Sequence, residues 1–167
     1  GLDLSTWAAR VPAIREWLGI EKAGVGQLLP GMGVASIIGL TVAPAVIARV
    51  GARRGMLIAL LLVAVGLFII GFGSDTLQLY GVALIGLALF GFGNGAVDVM
   101  MNVEGAALEK ATGRTVMPLL HAFFSFGTVI GAGIGFLAVR GGLPVFAHSL
   151  AMAIVIAVVA FVAIANV

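Results

Sequence analysis

The segment Met56–Phe72 reads MLIALLLVAVGLFIIGF and contains no charged side chain. Arg53 and Arg54 precede it, and the turn residues 73–75, Gly-Ser-Asp, follow it. Its 17 residues approach the roughly 20 that an α-helix needs to cross the hydrocarbon core of a bilayer. We therefore predict a transmembrane helix here, and the same criterion divides the rest of the chain.

The whole chain shares this apolar composition. Of its 167 residues, 62% are apolar and 10% are charged, and the mean hydropathy is +1.23. Soluble domains are about half apolar and about a quarter charged, and a soluble protein of this size could not hide so much apolar surface. The sequence therefore predicts an all-α membrane protein, a transmembrane bundle with about six crossings.

Several kinds of site are excluded by composition and motif. The chain has no cysteine, so it offers no disulfide, thiolate metal site or cysteine nucleophile. Its two histidines, His121 and His148, fall in different predicted helices, which argues against a metal site. The basic residues form no dense cluster, so nucleic-acid binding is not predicted. Without a phosphate-binding loop or a nucleophile elbow, neither a cofactor nor an enzyme is predicted.

Charged and turn residues divide the apolar sequence into six predicted helices. These span approximately residues 1–11, 24–48, 56–72, 77–103, 116–139 and 146–167. Residues 12–23 and 104–115 are predicted to be solvated loops because charged side chains recur there. The first apolar run is too short to cross a bilayer before it reaches Arg10. We therefore expect a first helix that is truncated, with the chain beginning inside it.

Basic residues indicate the orientation of the bundle. Arg49, Arg53 and Arg54 lie in one short turn that contains no acidic residue. Because cytoplasmic loops carry an excess of Lys and Arg, we place the turn 49–55 in the cytoplasm. The amino terminus then lies on the same side of a multi-pass protein of the cell (inner) membrane.

The same turn resembles a signature of the major facilitator superfamily. In that family, the loop between helices two and three carries a Gly, an Asp, an Arg, a Gly and paired basic residues. Arg49, Gly51 and Arg53 match this pattern, whereas Pro44 and Ala48 stand where the family usually has Gly and Asp. The family's Asp helps to lock the two halves of the transporter together, and this chain has no acid at that position.

Three further segments resemble the fucose-permease-like branch of that superfamily: 7–15 (WAARVPAIR), 91–102 (GFGNGAVDVMMN) and 117–127 (MPLLHAFFSFG). The likeness extends over nearly all of the chain but only the first six of the family's twelve helices. It implies that residues 1–167 are an amino-terminal six-helix half, built from two inverted three-helix repeats. A missing carboxy-terminal half, or a second copy in a dimer, would complete the molecule.

The resemblance also implies a function. Family members move solutes by alternating access, in which two halves rock about a central cavity. The arginine and the Gly-Pro pair of many drug antiporters are missing here, which favours uptake. We expect proton-coupled symport of a small polar solute such as a sugar. Efflux by the same superfamily, and a non-transporting sensor or assembly protein on the same scaffold, are the alternatives.

Polar residues recur at helical spacing in three predicted helices. The three sets are Asp3, Trp7 and Arg10; Asn94, Asp98 and Asn102; and His121, Ser125 and Thr128. Residues spaced by three or four share one face of a helix. Polar and ionisable groups are costly in hydrocarbon and tend to be functional there. We therefore predict that the three stripes line one shared cavity.

Asp98 and Asp3 are the predicted proton-coupling residues. Burial disfavours a charged carboxylate, so such a group can load a proton near neutral pH and release it to water. Asp98 could instead accept hydrogen bonds from a neighbouring helix or pair with an arginine near the cytoplasmic end, because it lies toward the cytoplasmic end of its own helix. The two hypotheses stay open at this point.

Five other residues are predicted to contact solute: Trp7, Asn94, Asn102, His121 and Ser125. Asparagine amides bond hydroxyls, and an indole ring stacks on the apolar face of a sugar. His121 could also titrate and couple protons, or simply hydrogen-bond a neighbouring helix.

The remaining charged residues receive structural roles. Glu104 and Glu109 are expected beside Arg49 and Arg53, in a cytoplasmic charge network that steadies one conformation. Arg10 and Arg15 are expected at the outer interface, where long basic side chains extend to water. Small residues at four-residue spacing predict close helix packing; these are Ala35, Gly39, Gly91, Gly95, Gly127, Gly131 and Gly135.

Overall fold

The protein is described by a computed structural model that covers residues 1–20 and 22–165. Six α-helices account for nearly all of these residues: α1 (Leu2–Leu18), α2 (Lys22–Val50), α3 (Ala52–Gly71), α4 (Tyr80–Thr112), α5 (Met117–Arg140) and α6 (Val145–Ala165). A π-helical turn, Phe72–Thr76, extends α3. Helices α2 to α6 are long and apolar enough to cross a membrane. The prediction of an all-α transmembrane bundle is thus confirmed.

Helix α1 is longer than the sequence predicted, so the predicted loop at residues 12–23 is wrong over most of its length, which is helical. The helix continues through Pro12 to Leu18 and ends at Gly19, which adopts φ 60°. Proline inside a helix removes one backbone hydrogen bond, and here Pro12 lies at an exposed position of α1. Glycine is favoured at a left-handed helix end because it has no Cβ. Glu21, also part of that predicted loop, lies outside the described residues.

Helix α4 also extends past its predicted end, so the second expected loop, 104–115, is largely helical. The helix has 33 residues and ends at Gly113, which adopts φ 66°. At about 1.5 Å per residue it is roughly 50 Å long, well beyond the roughly 30 Å of a hydrocarbon core. Its charged final turns therefore fit a helix that projects out of the bilayer.

Glu109 connects the end of α4 to the start of α5. Its Oε1 accepts hydrogen bonds from the backbone amides of Val116 at 2.8 Å and Met117 at 2.9 Å. The first amides of a helix have no partner within the helix, and a carboxylate there is also favoured by the helix dipole. The described hydrogen bonds of Glu109 are therefore with backbone amides at the start of α5. The sequence had predicted basic side chains as its neighbours.

Loss of this cap should lower stability measurably. Glu109→Ala is expected to reduce the free energy of unfolding by about 1 kcal/mol, as for other helix caps. Thermal unfolding of the full-length protein in detergent measures the effect. Glu16→Ala, which removes an exposed acid from α1, is the control and should leave the unfolding temperature unchanged. Equal unfolding temperatures for the two variants would contradict the cap.

The helices pack around α4, which lies between α2 and α3. Helix α3 also packs on α6, and α1 packs on α5 and α6. The interior between α3 and α4 is formed by fully buried side chains, namely Val63, Leu67, Ile70, Leu87 and Phe90. The centre of the bundle is therefore the α3–α4 contact.

Glycines set how closely these helices approach. A Cβ placed on Gly66 of α3 would lie 2.5 Å from the backbone nitrogen of Phe90 and 2.7 Å from the carbonyl oxygen of Gly86. Both contacts are with α4 backbone, so only a residue without Cβ fits. The predicted packing role is likewise confirmed for glycines that meet a neighbouring helix: Gly39, Gly91, Gly95, Gly131 and Gly135.

Candidate functional site

A cavity of about 240 Å³ lies between α1, α3, α4, α5 and α6, and we call it the acidic cavity. Its ionisable and amide side chains are Asp3 of α1 and Asn94 and Asp98 of α4. Most of its other lining is apolar and includes Val97, Met101, Phe124, Ile156 and Val159. Three polar side chains thus converge on a space with mainly apolar walls.

A second cavity, of about 280 Å³, lies on the α2 side of the same residues. Asn94, Asp98 and Phe124 line both cavities, and α2 contributes Ser36 to the second. Helix α2 comes close here because Gly91 and Gly95 face its backbone. Asn94 and Asp98 therefore stand at the junction of the two spaces, where a solute in either one would reach them.

The amide of Asn94 is oriented by its own helix. Its Nδ2 donates to the Phe90 carbonyl oxygen at 3.1 Å. An amide has two N–H donors and one acceptor oxygen, so the second N–H and the Oδ1 of Asn94 are not used by this bond. Asn102 makes the equivalent bond, from Nδ2 to the Asp98 carbonyl oxygen at 2.7 Å.

The two carboxylates of the acidic cavity come from different helices. Asp3 is 13% exposed and lines the cavity from α1. Asp98, on α4, is exposed. Carboxylates accept hydrogen bonds and attract cations. The cavity therefore offers two acidic groups, from α1 and α4, to a bound molecule.

The other predicted solute contacts lie away from both cavities. Trp7 is buried in the hydrophobic core. His121 and Ser125 are exposed on α5, and Asn102 is half-buried on α4. On α5, the residue that enters the cavities is Phe124. The structure therefore brings together Asp3, Asn94 and Asp98 but not the full set.

The predicted loop motif lies at one end of the bundle. Gly51 joins α2 to α3 with φ 82°, a conformation that side chains other than glycine rarely adopt. Arg49, Arg53 and Glu104 are exposed. Only Gly51 separates α2 from α3, so the predicted turn 49–55 is mostly helical, with Arg49 in the last turn of α2 and Arg53 in the first turn of α3.

Arg10 lies inside the protein, and its predicted position at the outer interface is wrong. It is 3% exposed. Its Nε donates to His148 Nδ1 at 2.9 Å, and its Nη2 donates to the Leu143 carbonyl oxygen at 2.7 Å and to that of Pro144 at 3.5 Å. The spacing of Asp3, Trp7 and Arg10 already placed Arg10 on the inward face of α1. Arg15, by contrast, is exposed as predicted.

Two more residues complete this cluster. His148 is 3% exposed, and its Nε2 has no hydrogen-bond partner among the described residues. Asp75, in the π-helical turn, accepts a hydrogen bond from the Phe146 amide at 2.9 Å and attracts the Arg10 guanidinium electrostatically. We call Arg10, Asp75 and His148 the polar clasp. It connects α1, the π-helical turn and α6.

Comparison with curated proteins finds relatives among bacterial membrane proteins. The chain is 34% identical over 156 residues to an uncharacterized transporter of Sinorhizobium fredii, covering 93% of this chain and 40% of that protein. It is 32% identical over 133 residues to an uncharacterized MFS-type transporter of Yersinia pestis, covering 80% of this chain and 34% of that protein. It is 31% identical over 131 residues to the membrane protein MosC of Rhizobium meliloti, covering 78% of this chain and 31% of that protein.

The chain therefore spans no more than 40% of the length of these relatives. No family model and no solved structure matches it.

Proposed function

We propose that this chain, whose similarity to MFS-type transporters supports membership of the major facilitator superfamily, is the amino-terminal six-helix half of a secondary active transporter. The proposed solute is small and polar, such as a sugar, and the proposed coupling is proton symport. The turn 49–55 would face the cytoplasm of a cell with the protein in its inner membrane. A carboxy-terminal half, or a second copy, would complete the transporter.

The observation that carries this proposal is the meeting of Asp3, Asn94 and Asp98 in the acidic cavity. Carboxylates are expensive in a membrane, and those that face a cavity usually serve an ion or substrate pathway. The cavity volume of about 240 Å³ is below the roughly 300–1,000 Å³ of complete small-molecule sites. A second half packed against the exposed Asp98 would add walls to this cavity and bring it to a working size.

The order of helix contacts supports the inverted repeats. If α1–α3 and α4–α6 are equivalent units, the contact of α1 with α5 corresponds to that of α4 with α2. Helices α3 and α6 are each other's counterparts in this scheme, so their contact lies between the two units. All three contacts are present in the bundle.

In the proposed cycle, the carboxylates and the amide have separate roles. Asp98 or Asp3 takes up a proton, which removes a charge from a cavity with mainly apolar walls and favours its closure. Asn94 offers an acceptor oxygen and an N–H to a solute hydroxyl. When the cavity reopens to the cytoplasm, the proton and the solute leave. Asn102, His121, Ser125 and Trp7 stay predictions as solute contacts.

Transport into liposomes tests this function directly. Full-length protein is reconstituted, an inward proton gradient is imposed, and labelled hexoses, polyols, small organic acids and amines are offered in turn. We expect one class to accumulate and to carry protons with it. Absence of accumulation and of proton movement across all four classes would contradict the proposal. Accumulation that needs Na⁺ in place of a pH gradient would contradict proton coupling.

Asn94 should determine solute affinity more than turnover. Asn94→Leu removes both hydrogen-bonding groups, and loss of a bond worth about 1.4 kcal/mol should raise the KM for transport about tenfold. Thr41→Val, on the exposed side of α2, is the matched removal of a polar group and should leave the KM unchanged. An unchanged KM in Asn94→Leu would remove Asn94 from the solute site.

A further inference from the structure

The polar clasp is the place where α1 is fixed by directional bonds to the rest of the bundle. The Arg10 guanidinium bonds simultaneously to a side chain of α6 and to two carbonyls of the α5–α6 turn. Its planar donors have fixed directions, so these bonds tolerate little rotation. The Nδ1 of His148 accepts the Arg10 bond, which requires a neutral imidazole with its proton on Nε2.

The most extensive packing contact of α1, with α5, is of a different kind. Gly131 faces Leu2 and Ser5, and Gly135 faces Ala9. A glycine groove permits close approach by van der Waals contact but provides no side chain that interlocks. The hydroxyls of Ser5 and Thr6 bond to carbonyls within the first turn of the chain. These hydroxyls therefore do not set the rotation of α1 against its neighbours.

Rotation of α1 matters because Asp3 and Arg10 lie on one face of it. Asp3, Trp7, Arg10 and Ile14 follow the 3.6-residue period. Along this face, Asp3 lines the acidic cavity, while Trp7, Arg10 and Ile14 are buried. Any rotation of α1 that moves Arg10 away from His148 also moves Asp3 relative to Asn94 and Asp98.

We propose that Arg10 is a positioning residue, which fixes the rotation of α1 through His148 and the α5–α6 turn and thereby holds Asp3 in the acidic cavity. Buried polar groups elsewhere set the register of packed helices that apolar contacts leave free. Asp75 supports the arrangement, because it binds the first turn of α6 and attracts the guanidinium. This inference rests on the proposed function insofar as it assumes that Asp3 works in the cavity.

Thiol reactivity measures the position of Asp3 without any solute. Residues 1–167 contain no cysteine, so Asp3→Cys and Asn94→Cys serve as separate reporters in full-length protein from which other cysteines are removed. Each is reacted with methanethiosulfonate ethylammonium. We expect Arg10→Lys to change the rate at Asp3→Cys by about threefold or more and to leave the rate at Asn94→Cys unchanged. Arg15→Lys, an exposed position on the same helix, should change neither.

Two variants of the acceptor test the same link. His148→Asn keeps an acceptor near the position of Nδ1 and should preserve the rate at Asp3→Cys, whereas His148→Leu removes it and should behave like Arg10→Lys. If Arg10→Lys does not fold, this pair still decides the question. Equal rates in Arg10→Lys and Arg15→Lys overturn the proposal, as does identical behaviour of the two His148 variants. Equal changes at both reporters also overturn it, because Arg10 would then only stabilise the fold.

These rates do not depend on transport. If the liposome assay fails while the rates change as expected, the positioning role stands and the transport function is wrong. If transport occurs while the rates stay equal, only the positioning role is wrong.

Discussion

Replacing Asp98 with Asn in the full-length protein is expected to abolish proton-driven accumulation while passive equilibration of solute continues. Asparagine keeps the size and much of the hydrogen bonding of aspartate but cannot bind and release a proton. The cavity of the variant can still close, because the carboxamide is permanently neutral. The variant should therefore lose proton coupling while it still binds and releases solute.

The size of the effect follows from the driving force. One pH unit corresponds to about 1.4 kcal/mol, which supports about tenfold accumulation when one proton moves with each solute. In Asp98→Asn, the internal concentration should reach only about that outside. Glu16→Gln is the matched control, because it neutralises an exposed acid on α1 outside the acidic cavity. It should retain the full gradient.

Asp3 provides the second arm of this experiment. If Asp98→Asn keeps tenfold accumulation and Asp3→Asn loses it, the proton carrier is Asp3. If both variants accumulate solute as the parent protein does, neither carboxylate carries the proton. Exchange of labelled solute across the membrane, measured without a pH gradient, shows whether each variant still binds.

The sequence predicted the bundle because hydrophobicity alone fixes the number and approximate place of membrane helices. Its largest errors are at two helix ends, where α1 continues to Leu18 and α4 to Thr112. Charged residues mark the limit of the hydrocarbon core, but they do not distinguish a loop from a helix that projects into water. At both ends, a glycine with positive φ terminates the helix, and Gly19 and Gly113 were the available signal.

Within the candidate site, periodicity identified Asn94 and Asp98 of α4 but not Phe124 of α5. Any helix offers several faces, and the face that meets a neighbour depends on the packing partner. On α5, Gly131 and Gly135 pack on α1, and this contact turns Phe124 toward the cavities. His121 and Ser125 then lie at the surface. The spacing of polar residues predicts which side chains share a face of α5, but the direction of that face depends on the tertiary contact with α1.

The polar clasp was beyond local reasoning for a similar reason. Arg10 and His148 are 138 residues apart, and nothing near either residue indicates the other. Snorkelling is the usual behaviour of an arginine near a membrane surface. Here the carbonyls of Leu143 and Pro144 satisfy the guanidinium inside the protein, which removes the need to reach water.

Gly66→Leu is expected to prevent folding or to lower the stability of the bundle by about 3 kcal/mol or more. The new Cβ alone would meet α4 backbone, at 2.5 Å from the nitrogen of Phe90 and 2.7 Å from the carbonyl oxygen of Gly86. Backbone cannot move aside as a flexible side chain can, so α3 and α4 would have to separate. The core side chains Leu67, Leu87 and Phe90 would then lose contacts across the whole interface.

A matched substitution separates this packing effect from helix propensity. A Cβ on Gly81, near the start of α4, meets no atom within 4 Å. Leucine is a better helix former than glycine by up to about 1 kcal/mol, so Gly81→Leu should be neutral or slightly stabilising. Size-exclusion chromatography and thermal unfolding of the full-length protein compare the two. Monodisperse Gly66→Leu with the unfolding temperature of Gly81→Leu would show that α3 and α4 do not pack this closely.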